Sequence, residues 1–249
     1  MKKTLNKKLV FALMALLLVA VAVLGVACKP QEPDNDPQSN PLIAAAQERL
    51  SNFDSTGNFY VTEYMKTQGV LDDGSWGTVE MNVAIVLYGN KTRVELEVTS
   101  IDDDFHTTYT SAVVWIDGDA GVVYYDVSDD GVRETGQYTA DDEQPTNVSN
   151  AINAAQELKT TMQSLLQQFS MYLQLNSMPI KIDGTTLQID IPAMGMGEIV
   201  LYIDIKDDGT FTCKEEYSMN FDYDGVQGST EMVVEFGTNS QDITMPDFE

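Results

Sequence analysis

Apolar and polar residues alternate along most of this chain. In TFTCKEEYSMNFDYD, Phe211, Cys213, Tyr217, Met219, Phe221 and Tyr223 fall in one phase, and Thr212, Lys214, Glu216, Ser218, Asn220 and Asp222 in the other. A period of two predicts a strand with one face on a core and one in water. VQGSTEMVVEF repeats the pattern with Val226, Met232, Val234 and Phe236 inward; RVELEVTS sets Val94, Leu96 and Val98 against Glu95 and Glu97; EIVLYIDIK aligns Ile199, Leu201, Ile203 and Ile205. Between such runs stand Asp73-Gly74, Asp117-Gly118, Asp130-Gly131, Asp183-Gly184, Asp208-Gly209 and Asp224-Gly225, with Gly89-Asn90 as a related pair. Asp-Gly accepts the positive φ angles of tight hairpin turns. The spacing predicts an antiparallel meander with strands at 58–67, 77–88, 91–100, 104–116, 119–127, 132–139, 185–192, 198–206, 210–223 and 226–237, and a short one at 241–245.

Two segments change period. In SNPLIAAAQERLSNF, Leu42, Ala46, Leu50 and Phe53 recur at helical spacing, with Ser39 or Asn40 as cap and Pro41 in the first turn. In NVSNAINAAQELKTTMQSLLQQFSMYLQLNSMP, one stripe holds Ile152, Ala155, Leu158, Met162, Leu165, Phe169 and Tyr172, widened by Leu166 and Leu173. Asn147 or Ser149 can cap this helix, and Pro179 ends it. The order is helix, six strands, a helix of some 25 residues, five strands. Each apolar face needs a cover, and the economical arrangement is α+β: a curved antiparallel sheet of about 11 strands wrapped around the long helix.

The N-terminus reads as an address. Lys2, Lys3, Lys7 and Lys8 precede an uncharged run from Leu9 to Ala27, the order of a secretory signal. An uncleaved membrane anchor is the alternative, since the run almost spans a hydrocarbon core of about 30 Å. Leu24-Gly25-Val26-Ala27-Cys28 resembles the lipobox of bacterial lipoproteins, with Gly25 where that signal usually carries an aliphatic residue. The resemblance implies that residues 1–27 are removed, that Cys28 carries diacylglycerol, and that the protein is held at the extracytoplasmic face of the cell membrane. Two acyl chains hold where one gives only marginal, reversible binding. KPQEPDNDPQSNP, with Pro30, Pro33, Pro37 and Pro41, suits an extended tether over residues 28–40.

That leaves residues 41–249 as one domain, large enough for a core without staples. A lipidated Cys28 leaves Cys213 without a partner, and its strand position marks it as a small buried hydrophobe. The order of elements resembles the LolA/LppX-like half-barrel of bacterial lipoproteins and lipoprotein carriers over about residues 41–246, and the closing FGTNSQDITMPDFE is similar to endings in such proteins. The resemblance implies a carrier that holds a lipid or an acylated protein between sheet and helices.

Without the four signal lysines the chain has 10 basic and 39 acidic residues, a formal charge of −29. That excludes nucleic acid as a partner; a monomer is expected. The catalytic inventory predicts a non-enzyme without metal or other cofactor. The one histidine, His106, reads as a solvated strand residue beside Thr108 and Thr110, opposite Phe105 and Tyr109. No GxSxG, HExxH or phosphate-cradling loop is present. Asp102-Asp103-Asp104, Asp141-Asp142-Glu143 and Asp117 with Asp119 read as solvated loop charge or turns rather than calcium loops.

Methionine is the more informative residue. Met162, Met171, Met178, Met194, Met196, Met219 and Met232 fall on the long helix, the inward strand phase or the loop PAMGMGE, and methionine suits adaptable apolar sites. Ordinary core packing is the competing reading. The candidate wall of an apolar-ligand site is Met162, Leu165, Phe169, Tyr217, Met219, Phe221 and Met232, with Met194, Gly195, Met196 and Gly197 as a gate. Two alternatives stand beside it: an envelope interaction module with a filled core, and a hydrolase using two converging carboxylates.

Overall fold

The computed structural model describes residues 40–70, 76–139, 141–174, 179–192, 197–206, 210–223 and 226–247, and the backbone alone of residues 70, 192, 221–223 and 226. The signal segment, Cys28 and almost all of the tether lie outside the described residues. The elements are α1 (Pro41–Ser51), β1 (Phe59–Val70), β2 (Trp76–Tyr88), β3 (Lys91–Ile101), β4 (Thr107–Asp117), β5 (Val122–Asp129), β6 (Val132–Thr139), α2 (Thr146–Gln174), β7 (Ile180–Asp183), β8 (Thr186–Pro192), β9 (Glu198–Ile205), β10 (Phe211–Tyr223) and β11 (Val226–Thr238).

All eleven strands form one open antiparallel sheet in the order β6-β5-β4-β3-β2-β1-β11-β10-β9-β8-β7. The first meander runs from β1 out to the edge at β6. The second starts at the opposite edge, β7, and runs back until β11 pairs with β1 over Phe59↔Thr238 to Gly69↔Gly228. α2 carries the chain from one edge to the other. Its 29 residues span about 43 Å at 1.5 Å per residue, close to the roughly 48 Å of ten inter-strand spacings. The helix lies against β1 to β5 on the inner face, and α1 sits against α2 and β9. Among the described residues no helix is long and apolar enough to cross a membrane.

Alternation builds the core as predicted. Val61, Met65, Val83, Ile85, Val94, Val114, Leu187, Leu201, Ile203, Cys213 and Phe236 turn inward and are buried together with the α2 stripe. The outer face carries ion pairs across and along strands, including Lys66–Glu80 (2.7 Å), Lys214–Glu216 (2.7 Å) and Arg93–Glu95. Exposed pairs of this kind contribute roughly 0–1 kcal/mol each. Three of the Asp-Gly pairs fall among described residues and join consecutive strands; Asp130 (φ 47°) and Gly131 (φ 84°) adopt the doubly positive φ of a tight hairpin turn.

Four details differ from the sequence reading. A strand at 180–183 was not foreseen: four residues after Pro179 are too few to show a period, although Asp183-Gly184 needs a strand on both sides. Residues 241–245 form no strand, because β11 is already paired on both edges; the Gln241 and Ile243 amides donate instead to the Asn239 and Asp242 side chains. β4 begins at Thr107 rather than 104, which leaves Phe105 at φ 61° and 86% exposed, off the sheet. α2 starts at Thr146, so Asn147 and Ser149 lie inside it and neither caps it; the Ser149 amide donates to the Pro145 carbonyl. The cap of α1 is as read: the Leu42 amide donates to Asn40 Oδ1 at 2.9 Å.

Candidate functional site

Strand register sorts the inner face into rows. One row crosses Ile189, Leu201, Glu215, Val234, Glu63, Val83, Leu96 and Ala112 on β8, β9, β10, β11, β1, β2, β3 and β4. Two glutamates therefore stand in the middle of an aliphatic surface, one on each side of Val234. Their Cα atoms are two strand spacings apart, roughly 10 Å. Both follow the inward phase of their strands: Glu63 lies between Val61 and Met65, and Glu215 between Cys213 and Tyr217.

Glu215 is 2% exposed. No hydrogen bond or ion pair reaches it, Glu63 or Glu157 from any described residue. Burial alone pushes the Glu215 carboxyl up to about 7. Burial, with the like charge of Glu157 on α2, does the same to Glu63. Glu157 is raised by burial as well. The basic residue of α2 that reaches the sheet, Lys159, rests its Nζ over the Phe59 ring, 5.7 Å from the centroid, two rows away. An unpaired buried carboxylate is costly, and such groups shift toward the neutral form.

Arg93 Nε is the one side-chain nitrogen or oxygen that is fully enclosed without a hydrogen bond among the described residues. Glu215 is among the most completely buried side chains of the protein, whereas Glu63 and Glu157 keep an intermediate share of accessible surface.

The next row is thioether-rich. Met81, Met65 and Met232 are Cα partners across β2, β1 and β11, continued by Tyr217 and Ile199. Met65 and Met81 were not singled out from sequence, although both are inward in their strands. Of the seven residues read as a wall, Met162, Leu165, Phe169, Tyr217 and Met232 are buried in the one core cluster, and Met219 packs against it partly buried. The Tyr217 hydroxyl donates to Met219 Sδ at 3.0 Å. The side chain of Phe221 lies outside the described residues.

Met194, Gly195 and Met196 of the gate also lie outside the described residues. Gly197 is described, at φ +122°, and a Cβ there would run into the Ser218 carbonyl oxygen of β10. Its role is close backbone approach as much as freedom. Gly197→Ala is expected to lower stability by on the order of 1–3 kcal/mol, read as a fall in the urea midpoint; an unchanged midpoint would contradict the close approach.

The other candidate groups lie in exposed turns and loops. His106 precedes β4, its side chain 76% exposed, with Nδ1 3.4 Å from Asp102 Oδ2. Asp102 Oδ1 accepts from the Asp104 and His106 amides, and Asp117 Oδ1 from the Asp119 and Ala120 amides, so both clusters are turns. Among the described residues no group of three or more His, Cys, Asp or Glu side chains is placed to hold a metal ion.

Sequence reasoning missed Glu63, Glu157 and Glu215. In Lys214-Glu215-Glu216 the neighbouring charges conceal that the middle residue has the inward phase. The signal that finds it is a lone acid in the inward register of a strand whose other inward positions are Phe, Cys, Tyr and Met. Comparison with known proteins returned no matching family model and no matching curated relative.

Proposed function

We propose that this chain is a lipid-anchored protein of the extracytoplasmic face that holds a lipid or other apolar ligand between α2 and the inner face of the sheet, without catalysis. The observation that carries the ligand reading is that Glu215, 2% exposed, and Glu63 stand on the aliphatic inner face with no hydrogen bond or ion pair from any described residue. A filled core, as an interaction module would have, pairs its buried polar groups. The walls are Val, Leu, Ile and Met, the usual lining of apolar sites. A sugar-cleaving pair of acids would need donors and acceptors for the hydroxyls of its substrate, and the rows on either side of Glu63 and Glu215 supply almost none. The address rests on the lipobox resemblance at Cys28 and the tether that follows it.

Two measurements test the two halves. Native mass spectrometry of the full chain released from membranes is expected to show a bound lipid mass beyond that of the anchor; a spectrum of the acylated chain alone would remove the ligand and leave the interaction module. Cys28→Ser is expected to abolish the acyl mass and the processed N-terminus. Unchanged mature mass and unchanged membrane retention would remove the anchor.

A further inference from the structure

Among the described residues the large apolar side chains left exposed are Trp76, Phe105, Tyr109, Val132, Met171 and Ile182. The first four stand at one end of the sheet: at the start of β2, in the β3–β4 connection, near the start of β4 and at the start of β6. The turns at the opposite end, Gly89-Asn90, residues 118–121 and Gly184-Thr185, carry none of them. Trp76, 52% exposed, and Phe105 reach furthest. Thr78, Ile101 and Thr107 share a row across β2, β3 and β4. Trp76 lies two residues beyond that row and Phe105 in the connection beyond it, between one and two strand spacings to the side, roughly 5–10 Å.

Phe105 is held in place against its own backbone preference. A bulky residue at φ 61° is an outlier, and such strain persists only where the surroundings fix it. The Phe105 amide donates to the Asp102 carbonyl at 3.0 Å, and Asp102 Oδ1 accepts from the Asp104 and His106 amides at 3.0 and 2.8 Å. The braced turn presents an apolar ring to water, outside the core cluster. Exposed apolar side chains gathered at one place mark a contact surface.

We infer that this end of the sheet rests on the bilayer that anchors the chain, with Trp76 and Phe105 in the interfacial layer of zwitterionic lipid. Two rings projecting from separate hairpins suit a soft plane better than a shaped pocket, and aromatic rings partition to the headgroup level of a membrane. The length of chain before the domain names the partner. From Cys28 to Asn40 is twelve residues, at most about 40 Å fully extended. The 13 residues of β2 span about 44 Å. An anchored domain therefore stays within one strand length of the lipid surface, and so short a tether keeps the local concentration of that surface high enough for a contact of two side chains. Asp102, Asp103 and Asp104 flank Phe105, so the contact is apolar and takes an uncharged surface rather than an anionic one. This inference rests on the anchor proposed above and adds the orientation of the domain to it.

The test uses the full acylated chain in phosphatidylcholine nanodiscs, with and without lipids brominated on the acyl chains near the headgroup, where bromine quenches a tryptophan in contact with it. The wild type is expected to lose up to about half of its emission, since Trp76 is one of two tryptophans and the one at the interface. Trp76→Phe, which leaves Trp115 alone, is expected to lose none. Phe105→Gly is expected to keep its circular dichroism and urea midpoint, because glycine takes a φ of 61° without strain, and to lose most of the quenching. Added salt should leave the quenching in place, since no charge pair holds the contact. Emission indifferent to bromine, quenching that survives either substitution, or quenching that salt releases overturns this orientation and leaves the anchor standing. A fall in the Phe105→Gly midpoint overturns the reading of Phe105 as a ring outside the core. A chain without acyl mass that elutes apart from the discs overturns the anchor, and the orientation with it.

Discussion

Glu215→Gln is expected to raise stability at pH 8 and to leave it nearly unchanged near pH 4.5. The Glu215 carboxyl is raised from 4.5 to about 7 in the folded chain, so the folded state holds a proton that the unfolded state has released. Its contribution is fully present below about pH 4.5, declines as pH rises to about 7, and stays lost above that. At about 1.4 kcal/mol per pH unit, the loss for Glu215 is on the order of 3 kcal/mol; Glu63, raised to about 7 as well, contributes less because it retains accessible surface. Glutamine does not ionise and escapes the loss. Exposed aspartates act in the opposite sense: Asp54, Asp102, Asp142, Asp190 and Asp242 are held below their ordinary value by hydrogen bonds, and their contribution disappears in acid. The wild-type protein should therefore be most stable at mildly acidic pH. Thermal unfolding of both proteins from pH 4.5 to 9 checks this. Parallel curves would mean that Glu215 finds a partner or water in the folded state and is not the desolvated, unpaired group described above.

The second large effect is structural. Phe169 on α2 is fully buried and meets Phe236 of β11 edge-on, centroids 6.0 Å apart. Phe236 meets Phe53 at 5.8 Å, and Phe53 meets Phe211 at 5.4 Å and Phe59 at 6.3 Å. This cluster joins the residues after α1, the first strand, the helix and the last two strands at the seam where the two meanders pair. Phe169→Ala should cost about 3–5 kcal/mol, a fall in Tm of roughly 10 °C for a domain of this size. Differential scanning calorimetry measures it. A loss below about 1 kcal/mol would show that the ring faces open space, and would move the ligand site to this end of the helix.

Local pattern determined most of the architecture. Period two with Asp-Gly punctuation specified antiparallel strands, because a side chain's face depends on its own position parity and a hairpin on its own two turn residues. The α2 stripe was legible for the same reason: Met162, Leu165 and Phe169 are on one face by helical geometry alone. Strand β7 was not legible, since four residues give no period, and neither was the failure of 241–245 to pair, which depends on whether a sheet edge is free. The site lay further out of reach. Parity gives Glu63 and Glu215 an inward direction, but nothing local says that β1 and β10 flank β11, or that the α2 turn bearing Glu157 passes over Glu63. Residues 63 and 215 share one row, on either side of Val234, only because the first strand pairs with the last, and their charge goes unanswered by the sheet because its paired lysines and arginines face outward. Direction of a side chain is a property of its own stretch of chain; the company it keeps, and with it the carboxyl chemistry inside this sheet, belongs to the tertiary fold.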